Sequence, residues 1–255
     1  MTFYRSPVGN APLNTTFVNG IVWAFGFAGT AVDAFVGNFY GHICGLSRFK
    51  IHAKVMKNIP FLGDRVRQLA QMGEVIDAWL APNHVGFESI CRAAGAQNPW
   101  FTKQDIVHAL EALRPWLYQD RLLAWAGHYD LGDFPPLTRR VLVVMAGNLP
   151  LVNFHDGLAV LLSGHQLLAR MSHQDSVLLP HLLCEAGISE DWALCTRKTV
   201  KDFDAVIATG SGNTGRYFEY YFSKYPKLLR KNRQSFAVLS GKESAGDLEA
   251  LAHDM

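Results

Sequence analysis

The sequence predicts an α/β chain in which a helical segment leads into a doubly wound parallel sheet, and two observations carry that expectation. After Arg140 the chain alternates apolar runs with helical ones, and runs such as VLVVMA and the AVIA of FDAVIATGS contain no polar residue. A strand that is apolar on both faces is one buried on both faces, as strands are in parallel sheets covered by crossover helices. Before Arg140, by contrast, Leu62, Val66, Leu69, Val75, Ile76, Trp79 and Leu80 recur at near-helical spacing with charges in the gaps, the pattern of amphipathic helices.

Composition bounds the rest. With 255 residues, 49% hydrophobic and 18% charged, the chain can bury one large core or two modest ones. Net charge is +2 and the basic residues are scattered apart from Lys224 to Arg233, so no broad electrostatic footprint for nucleic acid is expected. The four cysteines (Cys44, Cys91, Cys184 and Cys195) form no C-x-x-C pair, and His155, His165 and His173 are not at ligand spacing. Neither a metal site nor a disulfide framework is expected, and a reduced, cytoplasmic setting fits. Residues 1–57 do not read like the remainder. The apolar run Ile21 to Val32 stops at Asp33, short of the ~20 residues a membrane span needs, and Arg5 is too distant to make it a secretory leader. This stretch is expected to be an atypical extension, either disordered or upstream sequence preceding a start at Met56.

Residues 58–135 form the helical segment. Thr102 has the look of a helix cap, with Asp105 three residues on, ahead of Ile106, Ala109, Leu110 and Leu113. The stretch HYDLGDFPPLTRR, with two prolines, is the turn that closes the segment. Residues 136–255 then read as strand (VLVVMA), helix (Pro150 to about Leu162), strand (HQLLARM), helix (SVLLPHLLCEAG) and strand (FDAVIATGS). A helix around Thr214 to Tyr225, a strand at SFAVLSG and a last helix from Ser244, with Asp247 in its third position, complete the order. Right-handed crossovers between such strands make an incomplete, Rossmann-like nucleotide-binding domain the natural reading.

Ligands of such sheets lie beyond the carboxyl ends of the strands, so three turns matter. In Gly147-Asn148-Leu149-Pro150, a proline in the first helical turn fixes the entry geometry, and Asn148 either caps the helix or holds a free amide at a strand end. In Gly210-Ser211-Gly212-Asn213-Thr214-Gly215 the glycines serve either plain turn chemistry or the approach of an anion to exposed helix N–H groups. The third turn is Ser240-Gly241-Lys242-Glu243. Arg170 and Ser172, at the end of the second strand, are either a solvated edge or the residues that meet the ribose and phosphate of an adenosine.

In their joint order, GNLPLVNFHDGLAVLLSGHQLLAR, FDAVIATGSGNTGRYFEYYFSKYPKLLRKNR and VLSGKES resemble the acyl-CoA reductase family of the LuxC type, a branch of the aldehyde dehydrogenase superfamily. The likeness covers residues 58 to 255 and is strongest from Val141 on. It implies an aldehyde-dehydrogenase-like fold and reduction of a fatty acyl-CoA to the aldehyde with NADPH, through a cysteine thioester. It also implies that Asn148 is the oxyanion donor and that Gly147, Pro150, Arg170, Ser172, Gly210, Ser211, Thr214 and Gly215 meet the cofactor. Arginine at 170, where much of the superfamily has lysine, would favour a 2′-phosphate and hence NADP. The family's nucleophilic cysteine follows the helix after VLSGKES, and none of the four cysteines stands there, so the chain is expected to be an N-terminal fragment, inactive alone. Glu243 is displaced from the superfamily's base position. The superfamily's dimerisation strands lie largely beyond this chain, so the resemblance leaves a homo-oligomer open for the full-length protein without implying one. The alternatives are an acylating aldehyde dehydrogenase acting on a short acyl-CoA or acyl-phosphate, and a non-catalytic nucleotide-binding remnant.

Overall fold

A computed structural model describes residues 61–82, 84–129, 131, 138–210, 212–230, 237, 239 and 241–253. The extension of residues 1–57, Ser211, Ser240 and most of the SFAVLSG strand therefore lie outside the described residues. Among the described residues four helices come first: α1 (Leu62–Leu80), α2 (Phe87–Gln97), α3 (Lys103–Leu113) and, after a 3-10 turn at Arg114–Leu117, α4 (Gln119–Ala126). They form where the periodicity places them. In α1 the stripe Val66, Leu69, Met72, Ile76 and Trp79 is almost wholly buried. Helix α3 starts at the expected capping box, Thr102 and Asp105 satisfying each other's backbone N–H.

The second part comprises β1 (Arg140–Val144), α5 (Phe154–Leu162), β2 (Gln166–Arg170), α6 (Leu178–Glu185), β3 (Ala193–Thr196), β4 (Ala205–Thr209), α7 (Gly212–Tyr221), β5 (Lys227–Arg230) and α8 (Ala245–His253). The five strands make one sheet, all pairs parallel, in the order β3-β2-β1-β4-β5. Alternate residues feed two cores. Val141, Val143, Leu167, Ala169 and Ile207 pack with α5, α6 and the N-terminal helices in a single continuous core. Leu142, Leu168, Val206 and Ala208 face the other way and meet Phe218 of α7 and Phe222 just beyond it. Helices thus cover both faces, and the protein is an α/β chain with a five-stranded parallel sheet. Among the described residues no helix is long and apolar enough to cross a membrane.

Several boundaries differ from expectation, each for a local reason. Helix α5 starts at Phe154 and not at Pro150, because residues 147 to 153 spend their polar groups on a loop described below. Helix α7 starts at Gly212, so Thr214 and Gly215 lie inside it, and it ends at Tyr221, ahead of a turn leading to Pro226. Pro226 disfavours helical backbone at Tyr225. Two strands were not expected: β3 contains Cys195, and β5 lies within the basic stretch Lys224 to Arg233. At the C-terminal end Ser244 and Asp247 cap α8 reciprocally, as the spacing predicts.

Candidate functional site

The carboxyl edge of the sheet is level across its strands. Val144 at the end of β1 is paired with Arg170 of β2 and with Ala208 of β4, and Thr209 is paired with Arg230 of β5. Chain direction through the strand order reverses between β1 and β4, the place where a doubly wound sheet opens its crevice. Arg170 and Ala208 therefore flank the β1 end at strand spacing, about 4.8 Å to either side.

The loop leaving β1 turns its backbone inward and one side chain outward. Ala146 N donates to Asn153 Oδ1 (2.7 Å), the Gly147 carbonyl accepts from Asn98 Nδ2 (3.0 Å), and Leu151 N donates to Asp175 Oδ2 (2.8 Å). Leu151 is held at φ 56°, a left-handed conformation that costs a leucine on the order of 1 kcal/mol and persists because its neighbours hold it. Pro150 is buried in this loop and is not the first residue of a helix; Asn153 occupies the N-cap position instead. Asn148 is exposed, with no side-chain hydrogen bond among the described residues, so the cap reading fails for it and the free-amide reading fits.

The loop leaving β2 packs against the first. A Cβ on Gly147 would collide with the Ser172 side chain and come within 2.9 Å of Gln174 Cβ, so glycine is required there by close approach. Ser172 fills that space and its hydroxyl accepts from Gln174 N at 3.2 Å. Arg170 is half-buried, and its Nη1 donates to the Met171 carbonyl at 2.6 Å, which anchors the guanidinium at the strand end. Gln97 Oε1 receives both Ser176 N and Ser176 Oγ, so the end of α2 holds this loop as Asn98 holds the other.

No family model and no curated protein matches the chain.

At the far side of the edge, Gly210 is needed because a Cβ would lie 2.9 Å from Thr214 Cγ2 and 3.1 Å from Phe218 Cε2. Its role is to let α7 pack closely. At Gly212 a Cβ would meet nothing within 4 Å, so the start of α7 faces open space, and Thr214 is exposed while Gly215 is buried. The turn before α8 is closed by Gly241 N donating to Glu243 Oε2 at 2.9 Å.

Five side chains that the pattern did not single out hold this edge together: Asn98, Asn153, Asp175 and the Asp156–Arg230 pair. Arg230 Nη1 bonds Asp156 Oδ1 at 2.5 Å and Oδ2 at 2.6 Å, with the two side chains only 8% and 2% exposed. Asn153 Nδ2 donates to Asp156 Oδ2 at 3.1 Å. Asp175 is buried, and burial pushes its carboxyl up to about 6 against the single N–H bond from Leu151. The one signal that could have found two of them is polarity inside apolar sequence: Asn153 and Asp156 interrupt LPLVNFHDGLAVLL, as Asn148 interrupts the apolar run before it.

The three described cysteines lie elsewhere. Cys91 is buried in α2 with its thiol raised by desolvation, Cys184 is exposed on α6, and burial on β3 pushes Cys195 up to about 12. Neither Cys91 nor Cys195 is poised as a thiolate. Cys44 lies outside the described residues.

Proposed function

We propose that this chain is the cofactor-binding part of an NADPH-dependent fatty acyl-CoA reductase with an aldehyde-dehydrogenase-like fold. The observation that carries the reading is the position of the Asn148 turn: it leaves β1 at the reversal of strand order, with a cationic Arg170 at the end of the adjacent β2. Sequence likeness supplies the acyl-CoA chemistry, and the arrangement supports it as follows.

A dinucleotide fits the residues present. A Cβ at Gly212 would meet nothing within 4 Å, and the first-turn N–H groups of a helix have no partner within it, so the start of α7 suits a pyrophosphate, while Arg170 retains donors for a 2′-phosphate on the adenosine ribose. Bound there, the nicotinamide supplies a hydride. Asn148, projecting from a loop fixed on both sides, donates its amide to the acyl oxygen as that oxygen gains charge. The thioester step requires an accessible thiolate, which neither Cys91 nor Cys195 offers, and the family likeness would put it on residues outside the described sheet.

Titrating NADPH and NADH into the wild type and Arg170→Ala, followed by nicotinamide fluorescence, tests this. The wild type is expected to favour NADPH, and Arg170→Ala to lose about tenfold or more in NADPH affinity while NADH affinity changes little, as charge-assisted phosphate bonds require. Equal losses for both would remove the 2′-phosphate assignment, and no binding of either would remove the cofactor reading.

A further inference from the structure

Asparagine at an N-cap ordinarily turns its side-chain oxygen onto the N–H groups of its own helix, a contact that stabilises by about 1 kcal/mol. Asn153 stands at the N-cap of α5 and makes no such bond. Its oxygen faces backward to Ala146 N at 2.7 Å, and its nitrogen faces Asp156 Oδ2 at 3.1 Å and, at 3.4 Å, Thr209 Oγ1 of β4. The two ends of an amide differ only in donor and acceptor character, so its orientation is set by what surrounds it. Ala146 N–H can be met only by the oxygen, and the Asp156 carboxylate only by the NH2 group. Asp156 in turn is held by Arg230 at the end of β5, in a pair almost closed to water.

We propose that Asn153 is the positioning residue of the Asn148 turn, oriented by the buried Asp156–Arg230 pair so that its carbonyl oxygen clamps the Ala146 amide two residues ahead of Asn148. The chain Arg230, Asp156, Asn153, Ala146 ties the end of β5 to the loop leaving β1, across β4. It deepens the cofactor and oxyanion reading above and rests on it for what Asn148 does, while the clamp itself stands on geometry. Without it, the hydrogen bonds that remain on Met145 to Gly147 among the described residues are the Met145 bond to Arg170 and the Asn98 bond to Gly147, and the backbone that carries Asn148 loses one of its anchors.

The test is amide hydrogen exchange read at Ala146, together with NADPH titration, in the full chain. Asn153→Ala is expected to speed Ala146 exchange by about tenfold or more, the factor that follows loss of one buried hydrogen bond, while Val206 in the middle of β4 is unchanged. NADPH affinity should fall in parallel. Asn153→Asp places a second carboxylate against Asp156 and should loosen the clamp similarly; adding Asp156→Asn restores a donor facing an acceptor and should recover both readouts. A merely structural role would lower the unfolding midpoint of Asn153→Ala and leave Ala146 exchange as in the wild type. That result, or a double variant no better than Asn153→Asp, overturns the proposal. If the wild type binds no NADPH, the cofactor reading falls and Ala146 exchange alone decides whether Asn153 positions the turn.

Discussion

Replacing Asp175 by asparagine should make the protein more stable at neutral pH and leave it unchanged in acid. Asp175 is 5% exposed; its Oδ2 accepts from Leu151 N at 2.8 Å and its Oδ1 is buried with no hydrogen-bond partner among the described residues. Burial raises its carboxyl from 3.8 to about 6, so the folded protein holds that proton more tightly than the unfolded chain does. Stability from the neutral form is complete below pH 3.8 and is lost as pH rises through 6. Above that, the fold carries a buried charge. A difference of about two units at 1.36 kcal/mol each gives a swing on the order of 3 kcal/mol. Asparagine keeps the acceptor for Leu151 N and never ionises. Urea unfolding of the wild type and Asp175→Asn from pH 4 to pH 8, followed by far-ultraviolet circular dichroism, isolates the effect because every other titrating group cancels between the two proteins. The variant should match the wild type near pH 4 and exceed it by about 2 to 3 kcal/mol at pH 7.5. A difference that stays constant with pH would refute the reasoning, and a variant weaker than wild type at pH 7.5 would show that the charge is compensated.

The opposite sign is expected at the other edge of the sheet. His165, whose Nδ1 accepts from Arg139 N at 3.3 Å, is lowered to about 4 by burial and by the nearby Arg139 and Arg65 charges. Its contribution is present above pH 6.5 and is lost as pH falls through 4, so His165→Asn should flatten the acid limb of the stability curve by about 3 kcal/mol, read from unfolding midpoints between pH 4 and pH 7. Gly147→Ala must displace Ser172 and Gln174 and should destabilise by about 1 to 3 kcal/mol in calorimetry, whereas Gly212→Ala, facing open space, should stay within about 0.5 kcal/mol of the wild type. Comparable effects at the two glycines would contradict the packing described around the β1 loop.

How much of this was legible in the sequence follows from burial. The central strands β1, β2 and β4 are almost wholly buried, Ala205 to Ala208 without a break, and an apolar run announces them. The two strands that escaped notice, β3 and β5, are the edges of the sheet, only four residues long and largely half-exposed. Edge strands are commonly short and charged, and KLLR inside KYPKLLRKNR reads as a basic surface for that reason. The Asn148 turn and Arg170 were legible because strand ends are predictable from strand order. The clamp around them was not: Asn98, Asp175 and Arg230 come from 50 residues before to 82 residues after Asn148, and only the fold brings their side chains to one loop.

That clamp also bears on why so many polar groups are buried here. Asn98, Asn153, Asp156 and Asp175 are each no more than 6% exposed, and each is hydrogen-bonded to the loop leaving β1 or to a residue that is. A loop required only to connect β1 to α5 could bury leucines at those positions and be more stable, since buried charge pairs rarely improve on apolar packing. What the polar set provides is one geometry: each amide end and each carboxylate takes only a partner of complementary donor or acceptor character, so the backbone is held at Ala146, Gly147 and Leu151 while Asn148 projects between them. Stability given up at Asp175 and Leu151 is the consequence of holding that turn in place. It follows that Asp175→Asn, stabilising at neutral pH, should leave Ala146 exchange unchanged, because the Asn153 clamp acts on the opposite side of Asn148.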